Sequence, residues 1–81
     1  MTFTRTGPNS AACEDEFEVK IAKRHELHYI TPEGVTIVPI EIMTDRVIVV
    51  SVSKLPANEK ELIRLRIAAA LDYLSIPHRF D

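Results

Sequence analysis

From Phe17 onward apolar and polar side chains alternate: Phe17, Val19, Ile21, Leu27 and Tyr29 fall on odd positions, and Glu18, Lys20, Arg24, Glu26 and His28 on even ones. A period of two belongs to a strand with one buried face. Helical spacing fails over the same residues. The positions that a helix would place beneath Phe17 are Ile21, Arg24, His25 and His28, so the apolar stripe ends after one turn. In "ITPEGV", Pro and Gly at the second and fourth positions of Thr31–Gly34 predict a type I turn, with Ile30 and Val35 near a hairpin tip. The alternation of "VTIVPIEI" slips between Ile37 and Ile40, which predicts a bulge or an edge position at Pro39, a residue that cannot donate to a ladder. "MTDR" predicts a second turn, and "VIVVSVS", Val47 to Ser53, a strand that is β-branched nearly throughout.

Leu55 and Pro56 end that strand, and "ANEKELIRLRIAAALDYL" predicts a helix. Asn58 is its expected N-cap, and Glu59 and Glu61 lie in the first turn, where the helix dipole favours anions. Pro77 stops it, and "SIPHRFD" suits a helix exit or a short final strand. Residues 1–13 combine Thr, Gly, Pro, Asn, Ser and Ala without periodicity and are expected as a flexible tail before a single domain over residues 14–81. The expected order is β-β-β-α, or β-β-β-β-α if the first long strand breaks near Lys23 to His25. This is an α+β fold, a small antiparallel meander of three to four strands followed by one C-terminal helix packed on one sheet face.

Length limits what such a fold can hide. A chain of 81 residues buries only roughly 60% of the surface exposed by its unfolded form. Yet 46% of it is hydrophobic, and the apolar residues of the helix gather in two arcs on the wheel: Ile63, Ile67, Ala70, Leu71 and Leu74 in one, Leu62, Leu65, Ala69 and Tyr73 in the other. An ordinary surface helix buries one stripe and shows charge opposite it. The sheet repeats the excess: Ile48, Val50 and Val52 point one way and Val47 and Val49 the other, and Val35 and Ile37 oppose Val38 and Ile40. A contiguous apolar surface of this kind marks an interaction site. The sequence therefore predicts a protein-binding module, a regulator, inhibitor or accessory subunit. Its expected interface is Leu62, Leu65, Ala69 and Tyr73 on the helix with Val47 and Val49 on the sheet, met by a second copy in a homodimer or by a larger protein. Ala68, Ala69 and Ala70 permit close approach of a facing element.

Candidate chemistry changes this picture little. His25 and His28 are three apart, and an odd separation on a strand sends side chains to opposite faces, so they do not converge on an ion. The single cysteine, Cys13, excludes an internal disulfide and a four-cysteine zinc site. No glycine-flanked elbow surrounds Ser51, Ser53 or Cys13, and Gly7 and Gly34 are the only glycines, so neither an activated nucleophile nor a phosphate-cradling loop is expected. The chain is thus expected to act without catalysis, cofactor, metal or small-molecule substrate.

A formal charge of −2 gives no overall attraction to nucleic acid or anionic membrane. The alternative function is a nucleic-acid-binding regulator with a local basic patch of Lys20, Arg24 and Arg64, from a basic set that also holds Lys23, Lys54, Lys60 and Arg66. A β-β-β-α order is similar to that of double-stranded RNA binders. Those carry a further helix before the sheet and a Lys-rich start to the last helix, where this chain has "CEDE" and "NEKE". The absence of an apolar run of signal-peptide or bilayer length places the chain, by expectation, in the cytoplasm.

Overall fold

The computed structural model describes residues 2–14, 16–53 and 55–81. Its elements are β1 (Phe3–Gly7), β2 (Ser10–Cys13), β3 (Phe17–Lys23), β4 (Glu26–Thr31), β5 (Gly34–Ile42), β6 (Ile48–Val50), α1 (Lys60–Tyr73) and β7 (His78–Phe80). Among the described residues the architecture is α+β, a curled sheet of 7 strands in sequential order with one helix. All neighbouring strands are antiparallel except β6 and β7, which run parallel because α1 carries the chain back between them. The expected three to four strands are therefore too few, and the helix is followed by one more strand, in the short segment after Pro77.

The largest departure is at the start of the chain. The stretch expected as a tail forms β1 and β2, joined through the turn residues Pro8 and Asn9, with Gly7 opposite Ser10. A Cβ on Gly7 would meet Ser10 Oγ at 2.8 Å. Thr6 Oγ1 donates to Glu18 Oε2 at 2.6 Å and lies 2.8 Å from Ser10 Oγ, tying the hairpin to β3. β2 turns Ala11 and Cys13 inward, and both are buried. The hairpin orders because its small inward residues meet the helix and Phe3 meets other aromatic rings, none of which local periodicity displays.

Beyond β2 the alternation predicts the faces well. Phe17, Val19, Leu27 and Tyr29 are buried, and the long first strand breaks at Arg24 and His25 into β3 and β4. The β4–β5 hairpin turns at Pro32 and Glu33, where Thr31 Oγ1 accepts the Glu33 N–H at 3.2 Å. Gly34 has φ 146°, in the region that side chains disfavour, so glycine is required there. Of the bulge or edge position expected at Pro39, the bulge is absent, since β5 holds one register against β4 from Gly34 to Pro39, whereas Pro39 does lie outside the pairs with β6; the register irregularities are between Arg5 and Gly7 and between Ile21 and Lys23. Thr36, Val38 and Ile40 face inward, and the alternation is blurred because Val35 and Ile37 are apolar residues in solvent.

α1 lies across the sheet with Ile63, Ile67, Ala70 and Leu71 buried against it, joined by Leu74, so the first of the two arcs is the core face. Its N-cap is Glu59 rather than Asn58 and makes no side-chain cap. Instead Pro56 O accepts the N–H groups of Glu59 and Lys60 at 3.0 and 2.8 Å, which draws the start one residue later. At the other end Ile76 N donates to Leu71 O at 2.9 Å and Ser75 N to Asp72 O at 3.0 Å, a Schellman closure with Ser75 at φ 59°. That left-handed position suits glycine. Ser75→Gly should therefore raise the unfolding free energy by about 0.5–1 kcal/mol in a urea titration; a loss of stability would mean that the serine side chain matters more than its backbone.

Candidate functional site

The second arc of the helix is exposed. Leu62, Leu65 and Tyr73 keep 50%, 52% and 44% of their surface in solvent, and Ala69 is half-buried among them. Tyr73 leans toward the sheet, its ring stacked on Phe3 at 5.4 Å. Phe3 also meets Phe17 edge-on at 5.9 Å, and Phe17 meets Tyr29 at 5.9 Å, so an aromatic row runs from the end of α1 along β1, β3 and β4. Of the two sheet residues expected at the interface, Val47 and Val49 are only half-buried rather than open, since Val49 is flanked by Glu41 on β5 and Arg79 on β7. The open apolar residues of the sheet are Val35, Ile37 and Ile42, at 58%, 57% and 46% exposure.

A cleft of about 410 Å³ separates the β4–β5 hairpin from the first half of α1, with Thr36, Glu33, Glu59, Leu62 and Arg66 among its lining. Arg66 forms one wall and is held in place three ways. It donates to Tyr29 Oη at 2.8 Å, lies 3.5 Å from Glu16 Oε2, and stacks its guanidinium 4.8 Å above the Phe17 ring. Such stacking orients the planar cation and covers the ring face. These roles for Arg66 and Glu16 were not legible in sequence, because the partners lie on separate elements.

The basic residues of the alternative function are not brought together. Lys20 alternates with the buried Val19 and so faces away from α1, Arg24 sits in the β3–β4 turn, and Arg64 lies on α1 over the Phe80 ring at 5.6 Å. Arg64 also donates to Glu61, and that bond, with the charge behind it, holds the Glu61 carboxyl below its usual range. Lys54 is outside the described residues. The histidines are likewise scattered. His25 is exposed in a turn, His28 Nε2 donates to Glu26 Oε1 at 3.2 Å, and His78 Nδ1 donates to Ile76 O at 2.9 Å. Among the described residues no group of three or more His, Cys, Asp or Glu is placed to hold a metal ion, and no helix is long and apolar enough to cross a membrane. Cys13 is buried in the hydrophobic core. No family model, curated protein or solved structure matches the chain.

Proposed function

We propose that the chain is a small protein-binding module that works without chemistry of its own, as a regulator, inhibitor or accessory subunit, and that its simplest partner is a second copy. The observation that carries this is the outward face of α1. Leu65 lies about 160° around the helix from Ile63 and Ile67, yet it and its neighbours Leu62 and Tyr73 are apolar and about half exposed. Each leucine still has about half of its surface in water, and covering that half gains roughly 0.8–1.5 kcal/mol, half of the value for a fully exposed side chain. A two-fold interface brings a patch against itself, and this one is self-complementary: it holds leucines, a tyrosine and a half-buried alanine that lets backbones approach.

Mass by light scattering over a dilution series tests it. A dimer at tens of micromolar that dissociates on dilution is expected, with Leu65→Glu shifting the species to single copies. Leu65 is the informative position, because Tyr73→Glu also removes the stack on Phe3. A mass that stays at one copy at every concentration would remove the homodimer. No change on Leu65→Glu in a chain that does associate would remove this face.

A further inference from the structure

β5 has a neighbour on both sides for only part of its length. β4 runs beside Gly34–Pro39, whereas β6 pairs with Ile40, Glu41 and Ile42 alone. Along an antiparallel ladder successive residues turn their amide and carbonyl to opposite neighbours. Two bonds fix the phase: Ile40 N donates to His25 O at 3.1 Å, on the β4 side, and Ser51 N donates to Pro39 O at 3.0 Å, on the β6 side. Even-numbered residues of β5 therefore bond to β4, and Val35, Ile37 and Pro39 turn their groups the other way. Pro39 has no N–H and its carbonyl is taken. The N–H and C=O of Val35 and Ile37 meet no partner among the described residues.

An unpaired edge is a template for another strand, and sheets protect their edges with charge, proline or shortness. The outer edges here are protected: β1 carries Arg5 among exposed threonines and stops before Pro8, and β7 is 3 residues long and carries Arg79. Gly34–Val38 reads "GVTIV", with no charge, and Val35 and Ile37 have the greatest exposure among the large apolar side chains described. Beside this edge lies the cleft walled by Leu62 and Arg66. A free strand edge next to a helix-walled groove is the arrangement in which an extended segment bonds through its backbone and sends alternate side chains into the groove.

Charge selects the occupant. Arg66 is already engaged by Glu16 and Tyr29, whereas Glu33 and Glu59, both exposed on the lining, have no cationic partner among the described residues. The mouth is acidic. The β5 of a second copy, "GVTIVPIEI", carries no basic residue and does not complement it. The geometry points to an extended segment of a partner protein, apolar at alternate positions and bearing lysine or arginine, that adds as a strand to the Val35–Ile37 edge of β5. This assignment rests on the protein-binding reading but is centred on the β5 edge, and it shares only Leu62 with the helix face.

The probe is a capped nine-residue peptide of alternating valine and lysine, titrated into the full-length chain labelled with nitrogen-15. The amide signals of Val35 and Ile37 should move saturably, with those of Thr36 and Val38, committed to β4, moving less. The same peptide N-methylated on its bonding edge should bind about tenfold more weakly or worse, since each lost hydrogen bond to a buried partner is worth about that factor. Ile37→Pro should weaken binding comparably, because it removes an outward N–H and leaves the bonds to β4 in place. If that variant fails to fold, the N-methylated peptide still decides the matter on the native chain. Silent Val35 and Ile37 amides, or equal binding of the N-methylated peptide, would overturn the assignment. Signals at these amides that shift with protein concentration alone would also overturn it, by making a second copy the occupant. Light scattering on the same samples separates the two proposals: a dimer with silent β5 amides retains only the helix face, and a single copy with responsive amides retains only the edge.

Discussion

Leu71→Ala should lower the unfolding free energy by about 2–5 kcal/mol, whereas Leu65→Ala in a dilute sample should change it by less than about 0.5 kcal/mol. The two leucines are on one helix and chemically identical, and they differ in where α1 turns them. Leu71 is fully buried against the sheet, and its removal leaves a cavity among close-packed neighbours; Leu65 is 52% exposed and leaves none. A chain of 81 residues has a total stability of roughly 4–12 kcal/mol, so the first substitution removes a large share of it and depresses melting by about 10 °C or more. Urea titrations followed by far-UV circular dichroism compare the pair directly. If Leu65→Ala costs as much as Leu71→Ala at the lowest usable concentration, the outward face of α1 is packed within a single chain and the case for a partner there fails. A Leu65→Ala cost that grows with protein concentration would instead be the mark of association, because a partner that binds only the folded chain adds to its stability by mass action.

The same contrast shows what could be read from the residues. The helix wheel separated the two arcs, and one of them is the core face, because a period of 3.6 is a local property that tertiary packing here respects. The period of two placed Phe17, Val19, Leu27 and Tyr29 inward for the same reason. The hairpin of β1 and β2 is not legible in the pattern because its inward residues, Ala11 and Cys13, are too small to stand out as an apolar alternation, and its "GPNS" turn has a composition shared by disordered stretches and by punctuation between strands. β7 was legible only as an option, since a three-residue parallel strand is defined by its neighbour β6 and not by its own pattern. At the candidate sites, the exposed Leu62, Leu65 and Tyr73 could be seen on the wheel. The open edge of β5 could not, because it depends on where β6 stops. The two-faced strand has a simple sequence sign, Val35 and Ile37 opposite Val38; the exposure of the first pair accounts for it without a bulge, and Pro39 keeps the edge position that its missing N–H suits.

Removing residues 1–8 should destabilise the chain by at least about 2 kcal/mol, although the sequence pattern marks this stretch as a tail whose loss would cost nothing. Three losses combine. Phe3 leaves its edge-on contact with Phe17 at 5.9 Å and its stack with Tyr73 at 5.4 Å, each worth about 0.5–1.5 kcal/mol beyond the area buried. The bonds from β1 to β2 go with it, and β2, whose Ala11 and Cys13 pack beneath the helix, becomes an unprotected outer edge. The Thr6 bond to Glu18 on β3 is lost as well. The truncated chain should melt at least about 8 °C lower and scatter more light at high concentration, since its new edge lacks the charge and proline that guard β1. Phe3→Ala in the full-length chain separates the causes: it should reproduce much of the fall in melting without the rise in scattering, because the strand backbone still covers β2. Equal melting of the truncated and complete chains would mean that residues 3–7 contribute nothing to the folded state, and the aromatic row from Tyr73 to Tyr29 would then have to hold without its Phe3 link.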